Sequence, residues 1–186
     1  MQKVNIAILA SDDGANTENI IQYFENYIDA EIVVTISNKE ESEVLKRIRR
    51  YRVPRFVTPI YKEIDAILTE KEVHYIIIDN WYEKLPPNFC KKYQNKILNI
   101  HPALKYIELT NDTLYQEIKK NDTESGISIY LVNENVVGNV VFHKKFDIYP
   151  EDTWEDIKAK TEDLSNRFYP AIVEKFIKGT YEQLYE

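Results

Sequence analysis

The sequence predicts an α/β fold: a Rossmann-like, doubly wound and mostly parallel sheet that ends in a C-terminal antiparallel hairpin. Two observations support this. Up to residue 100, apolar runs typical of buried parallel strands alternate with segments of helical periodicity. Near the end of the chain, only the short segment NENVVG separates two strand-like runs, so a hairpin rather than a crossover must join them.

The first hundred residues alternate between strands and helices. The continuous apolar run VNIAILA predicts a strand over 4–10, and an apolar stripe that includes Ile20, Phe24 and Ile28 predicts a helix over 15–28. The other predicted elements are strands at 31–37, 55–58, 74–79 and 96–100 and helices at 42–51 and 64–72.

The second half of the chain has a different pattern. We expect a helix over 112–121, followed by hairpin strands at 126–133 and 139–148. Thr153 is a good N-cap for a last helix, which we expect to break near Pro170 because proline lacks a backbone N–H. With no repeat or linker, the 186 residues are predicted to form one domain.

Composition narrows the classes of function. Hydrophobic residues make up 44% and charged residues 30%, which is typical of a globular protein, and the net charge of −7 argues against nucleic-acid binding. The single Cys90 excludes an internal disulfide and fits a reducing compartment. Without a signal peptide or an apolar run of spanning length, we expect a cytoplasmic protein that does not bind membranes. Three separated His residues give no metal-ligand spacing, so no metal is expected.

The run ILNIHPAL contains the strongest candidate for catalysis. Asn99 and His101 are two residues apart on a predicted strand, so their side chains should share a face, and Pro102 should end the strand there. Both would then point into the crevice at the carboxyl edge of the sheet, where open α/β sheets bind ligands. A capping Asn beside a partly buried His is the alternative interpretation.

The loop ASDDGANTENI joins the first strand to the first helix, where phosphate sites form. Backbone N–H groups at a helix N-terminus favour an anion, Gly14 gives the turn freedom, and Asn16 is suited either to cap the helix or to donate to an oxygen. Asp12 and Asp13 would repel a phosphate. A structural cap and a ligand loop therefore both stay open.

Five sequence blocks follow one another along the chain: ASDDGANTENI, ISNK, ILNIHPAL, ESGISIYLVNE and YPAIVEKFI. In this order they resemble blocks of the folate-dependent phosphoribosylglycinamide formyltransferases of purine biosynthesis. The resemblance implies the formyltransferase fold and transfer of a formyl group from 10-formyltetrahydrofolate, as co-substrate, to the amine of glycinamide ribonucleotide. It implies a phosphate-binding half at 1–100 and a folate-side half at 101–186, and leaves a homodimer open.

The resemblance also implies roles for individual residues. Asn99 would stabilise the oxyanion that develops on the formyl oxygen, and His101 would act beside it as acid, base or electrostatic partner. The substrate phosphate would bind at Gly14, Ala15 and Asn16. The folate pocket would be lined by Trp81, Tyr82 and Leu85.

The chain departs from this family at positions with functional roles. The family has an Asp that orients the His, and here Val136 or Val137 stands at that position, with Glu134 nearby. Asp79 and Asn80 replace two small residues of the folate-side stretch, Asp12 replaces the first Gly of the phosphate loop, and the segment after HPAL is two residues shorter. We therefore expect a degenerate site. The alternatives are an inactive family member that binds or regulates, and formylation of another amine such as an amino-sugar nucleotide.

Overall fold

A mixed sheet of seven strands forms the centre of the computed structural model, which describes residues 3–81, 83–104, 123–133 and 139–181. The strands are β1 (Val4–Ala10), β2 (Ala30–Ser37), β3 (Arg55–Val57), β4 (Tyr75–Asp79), β5 (Ile97–His101), β6 (Glu124–Leu131) and β7 (Val140–Asp147). Their order is β3-β2-β1-β4-β5-β6-β7. Pairing is parallel from β3 to β5 and antiparallel from β5 to β7.

Helices cover both faces of this sheet. In the described part of the chain they are α1 (Ala15–Phe24), α2 (Glu43–Arg47), α3 (Tyr61–Glu70), α4 (Pro87–Lys92) and α5 (Trp154–Ile177), and a 3₁₀ turn at Ile48–Arg50 continues α2. One apolar cluster joins the sheet to α1, α2 and α5, and a second joins the other face to α3 and α4. The predicted fold class is confirmed.

The predicted elements differ from the observed ones mainly at their ends. The first helix ends at Phe24 instead of residue 28, and Ile28 is 82% exposed, so it does not belong to the buried stripe. β5 extends to His101, one residue beyond the prediction. The hairpin is present as predicted, with antiparallel pairing from Glu124 to Tyr130. The helix predicted over 112–121 lies outside the described residues.

The expected break at Pro170 is wrong, because α5 runs without interruption from Trp154 to Ile177. Proline cannot donate to the carbonyl four residues before it, which is that of Asn166. The side chain of Asn19 in α1 donates to that carbonyl at 2.6 Å. A contact between helices thus supplies the missing donor. The predicted cap at Thr153 is confirmed, with a reciprocal capping box to Asp156.

A polar cluster also connects α1 with α5. The hydroxyls of Tyr23 in α1 and of Tyr27, three residues after α1, donate to the carboxylate of Glu174 in α5. Lys178 donates to the same carboxylate at 2.5 Å. The hydrogen bonds from Lys178 and Tyr23 lower the pKa of Glu174 to about 2. This cluster holds together the two helices that cover one face of the sheet.

Candidate functional site

Asn99 and His101 lie at the carboxyl end of β5, on the same face of the sheet. Ile100 between them packs in the cluster with α1 and α5, so their own side chains are on the opposite face. Both are buried, at 5% and 0% exposure. The side-chain amide nitrogen of Asn99 donates at 2.7 Å to the hydroxyl of Tyr130, the residue of β6 that pairs with Asn99. This hydrogen bond fixes the Asn99 amide.

Buried polar atoms that lack a hydrogen-bond partner recur at this edge of the sheet. Among the described residues, they include Asn99 Oδ1 on β5, Ser11 Oγ directly after β1 and Asn38 Oδ1 directly after β2. Buried polar atoms are almost always hydrogen-bonded, so a group of unpartnered ones calls for an explanation. Their place at the carboxyl ends of parallel strands is where α/β sheets bind polar ligands.

The loop after β1 depends on the glycine at its turn. Gly14 has a φ of 76°, in the left-handed region, and stands at the N-cap position of α1. A Cβ there would lie 2.5 Å from Val44 Cγ2 and 2.6 Å from its Cα. Only glycine fits without strain. The N–H of the next residue, Ala15, donates to the Asp13 carboxylate at 2.9 Å, so Asp13 turns inward onto the helix N-terminus.

Asp79, the last residue of β4, is the main partner of this helix N-terminus. Its buried carboxylate accepts hydrogen bonds from Thr17 N at 3.0 Å, Thr17 Oγ1 at 2.7 Å and Asn16 Nδ2 at 3.1 Å. Burial raises the pKa of the Asp79 carboxyl, while the hydrogen bonds from Thr17 and Asn16 act in the opposite direction. Gly14 has no side chain to cap α1, and Asp79 caps it from a neighbouring strand instead.

Sequence reasoning missed this contact. It identified Asp79 and Asn80 as departures but gave Asp79 no partner, because 62 residues separate it from Thr17. One feature of the sequence could have predicted the contact. A carboxylate at the end of a buried parallel strand lies close to the segments that follow the neighbouring strands. Asn80, at the turn after β4, has a φ of 51°, which lies in the left-handed region. Asn tolerates this conformation better than most residues, so it suits this position.

Tyr169 ties α5 to the two strands that carry Asp79 and Asn99. Its hydroxyl is completely buried and lies 2.7 Å from the carbonyl oxygen of Ile78 and 3.4 Å from that of Leu98. Burial raises the pKa of this hydroxyl well above its ordinary value, so it acts as a neutral donor. Each of these carbonyls directly precedes a residue of the candidate site. The Tyr169 side chain, from the block YPAIVEKFI, therefore holds α5 to the carboxyl ends of β4 and β5.

Trp81 and Leu85, two of the three residues expected around a folate, lie on the face covered by α3 and α4. Trp81 is 3% exposed and its indole N–H donates to the Tyr61 hydroxyl at 2.9 Å, and Leu85 is 6% exposed. Both pack in the apolar cluster of that face. Tyr82 lies outside the described residues. So do Val136 and Val137, one of which stands at the position of the family's Asp, and the nearby Glu134.

Among the residues that the structure describes, no group of three or more His, Cys, Asp or Glu side chains is placed to hold a metal ion. None of the described helices combines the length and apolar character needed to cross a membrane.

Sequence comparisons with known proteins consistently find formyl transferases. The model of the formyl transferase family matches residues 4–173. The phosphoribosylglycinamide formyltransferase of Haemophilus influenzae is 33% identical over 187 residues, which cover 94% of this chain and 87% of that protein. The Escherichia coli protein of the same name is 27% identical and covers 95% of this chain and 88% of its own length.

Solved structures agree. The phosphoribosylglycinamide formyltransferase of Anaplasma phagocytophilum superposes with a TM-score of 0.89 at 23% identity, over 96% of this chain and 88% of that one. The one from Bacillus halodurans gives a TM-score of 0.84 at 27% identity, over 97% and 98% of the two chains. The fold is therefore shared along nearly the whole length.

Proposed function

The chain belongs to the formyl transferase family, and from that premise we propose that it transfers a formyl group from 10-formyltetrahydrofolate to the amine of glycinamide ribonucleotide. The observation that carries the proposal is the pair Asn99 and His101, buried side by side on one face at the carboxyl end of β5. The relatives that are 33% and 27% identical are phosphoribosylglycinamide formyltransferases, and this activity supplies the proposed substrate class. The unpartnered Oδ1 of Asn99 is consistent with a polar ligand at this position.

The proposed chemistry is a transfer between two amines. The acceptor amine attacks the formyl carbon, its nitrogen loses a proton, and the bond from that carbon to the folate nitrogen breaks as the folate nitrogen takes up a proton. Negative charge develops on the formyl oxygen between these steps. An Asn side-chain amide has two N–H groups, and the hydrogen bond to Tyr130 uses one, leaving the second for the oxyanion. His101 is the group proposed to carry the proton.

The remaining site residues have proposed binding roles. We assign the acceptor phosphate to the first turn of α1, at Gly14, Ala15 and Asn16, within the half of the chain that covers 1–100. We propose that the folate binds next to Trp81, Tyr82 and Leu85. The half of the chain that covers 101–186 would form the rest of its site. The apolar surroundings of Trp81 and Leu85 favour this assignment, because the flat aromatic faces of a pterin ring pack well against apolar side chains.

We expect the reaction to be slow. The family's Asp, which orients the His, is a Val here at 136 or 137, and a valine accepts no hydrogen bond. Removing the carboxylate from a coupled catalytic set costs orders of magnitude in rate, and we expect turnover at least about a hundredfold below that of a typical family enzyme. Replacing Val136 or Val137 by Asp should raise the residual rate.

The test is a formyl-transfer assay that follows the absorbance of the folate product, with the wild type, Asn99→Ala and the control Asn88→Ala. Asn88 is an exposed residue of α4, so its variant should keep the wild-type rate. We expect slow transfer by the wild type and loss of transfer in Asn99→Ala. Saturable binding of both ligands without any transfer would instead indicate a binding protein. Equal rates in all three proteins would refute the role of Asn99.

A further inference from the structure

Four hydrogen-bond donors at the N-terminus of α1 are already in use within the chain. Asp79 accepts from the backbone N–H of Thr17, from its hydroxyl and from the side chain of Asn16. Asp13 accepts from the N–H of Ala15. These donors are among the groups that a phosphate bound at the first turn of α1 would use, so two internal carboxylates occupy part of the place where the acceptor's anion would bind.

We infer that Asp79 is a specificity-determining residue of the acceptor site, an internal competitor that weakens the binding of acceptors with a phosphate at this position. This inference rests on the proposed function, because it concerns the acceptor of the same reaction. A phosphate must either displace the buried carboxylate from three hydrogen bonds or lie beside a second anion. Both routes are unfavourable in a buried site, where like charges are poorly screened.

A second observation indicates that this loop can bind a polar group. Ser11, which begins the loop, is 2% exposed, and within the described ranges its hydroxyl has no hydrogen-bond partner. Unpartnered buried hydroxyls are rare. A loop that held α1 for purely structural reasons would have no need of this hydroxyl. The loop therefore combines a free polar group with donors that Asp79 withholds.

Inorganic phosphate is the probe that tests this inference, with affinity measured by calorimetric titration at neutral pH. The proteins are the wild type, Asp79→Ala, Asp79→Asn and the control Asp147→Ala. Asp147 is exposed on β7, so its variant removes the same negative charge far from the loop. We expect Asp79→Ala to bind phosphate at least about tenfold more tightly than the wild type, which is the scale of an anion at a helix N-terminus.

Each outcome decides the question. If Asp79→Ala does not fold, Asp79→Asn, which removes the charge but keeps the size of the side chain, should show the gain. Wild-type affinity equal to that of the Asp79 variants would overturn the inference, as would an equal gain in Asp147→Ala. Failure of the proposed function appears separately, as absence of formyl transfer, because this titration needs no catalysis.

Discussion

Removal of one buried hydroxyl, in Tyr169→Phe, should measurably destabilise the protein. The hydroxyl lies 2.7 Å from the carbonyl oxygen of Ile78, and the Tyr169 side chain is completely buried, so the substitution leaves that carbonyl without this donor and admits no water. A lost buried hydrogen bond of this kind costs about 1–2 kcal/mol of unfolding free energy. For a chain of this length, the melting temperature should fall by about 3–6 °C.

The assay is thermal unfolding followed by circular dichroism, checked by urea unfolding at 25 °C. Tyr149→Phe is the matched control, because Tyr149 is 53% exposed and the same atom is removed at the surface. The control should differ from the wild type by less than about 0.5 kcal/mol. If Tyr169→Phe is as stable as Tyr149→Phe, the hydroxyl does not hold α5 to the ends of β4 and β5, and our description of the site's support is wrong.

Two further substitutions test the loop and the helix pair. Gly14→Ala should cost at least about 2 kcal/mol, because it combines a positive φ with a contact to Val44, whereas Gly179→Ala, also at positive φ but with no neighbour within 4 Å, should cost only about 1 kcal/mol in urea unfolding. Equal costs would show that the Val44 contact is unimportant. Because the hydrogen bond from Lys178 is the largest contribution that depresses the pKa of Glu174 from 4.5 to about 2, its stabilisation is present above pH 4.5 and is lost as the pH falls toward 2. Glu174→Gln should therefore cost about 1 kcal/mol at pH 7 and progressively less below pH 4.5, and a difference that does not change with pH would contradict the assignment.

The sequence predicts those parts of the fold that depend on local pattern. Continuous apolar runs identified the buried strands, and the two-residue period of a strand correctly placed Asn99 and His101 on one face. Close spacing of two strands predicted the hairpin. These features are set by short-range geometry, so one sequence is sufficient to find them.

The parts that escaped prediction depend on contacts between distant residues. Pro170 should interrupt a helix by local rules, but Asn19 compensates from another helix. Local sequence rules identify Asp79 only as a charged residue at the end of a strand. It reaches Thr17 at the start of α1 because β4 lies next to β1 in the sheet. The periodicity of apolar residues along the chain gives no information about either contact. The sequence thus predicts the part of the candidate site that lies on one strand, but it does not predict the contact between the end of β4 and the start of α1.

Single-turnover transfer with an isotopically labelled formyl donor tests the central claim most directly, because it follows the formyl group itself. Wild-type protein in excess over 10-formyltetrahydrofolate is mixed with glycinamide ribonucleotide, and mass spectrometry follows the label. We expect slow appearance of the label on the acceptor amine, at least about a hundredfold slower than with the Haemophilus influenzae relative assayed in parallel, and none with Asn99→Ala. Label that never reaches the amine, or that reaches it equally fast with Asn99→Ala, would contradict the account.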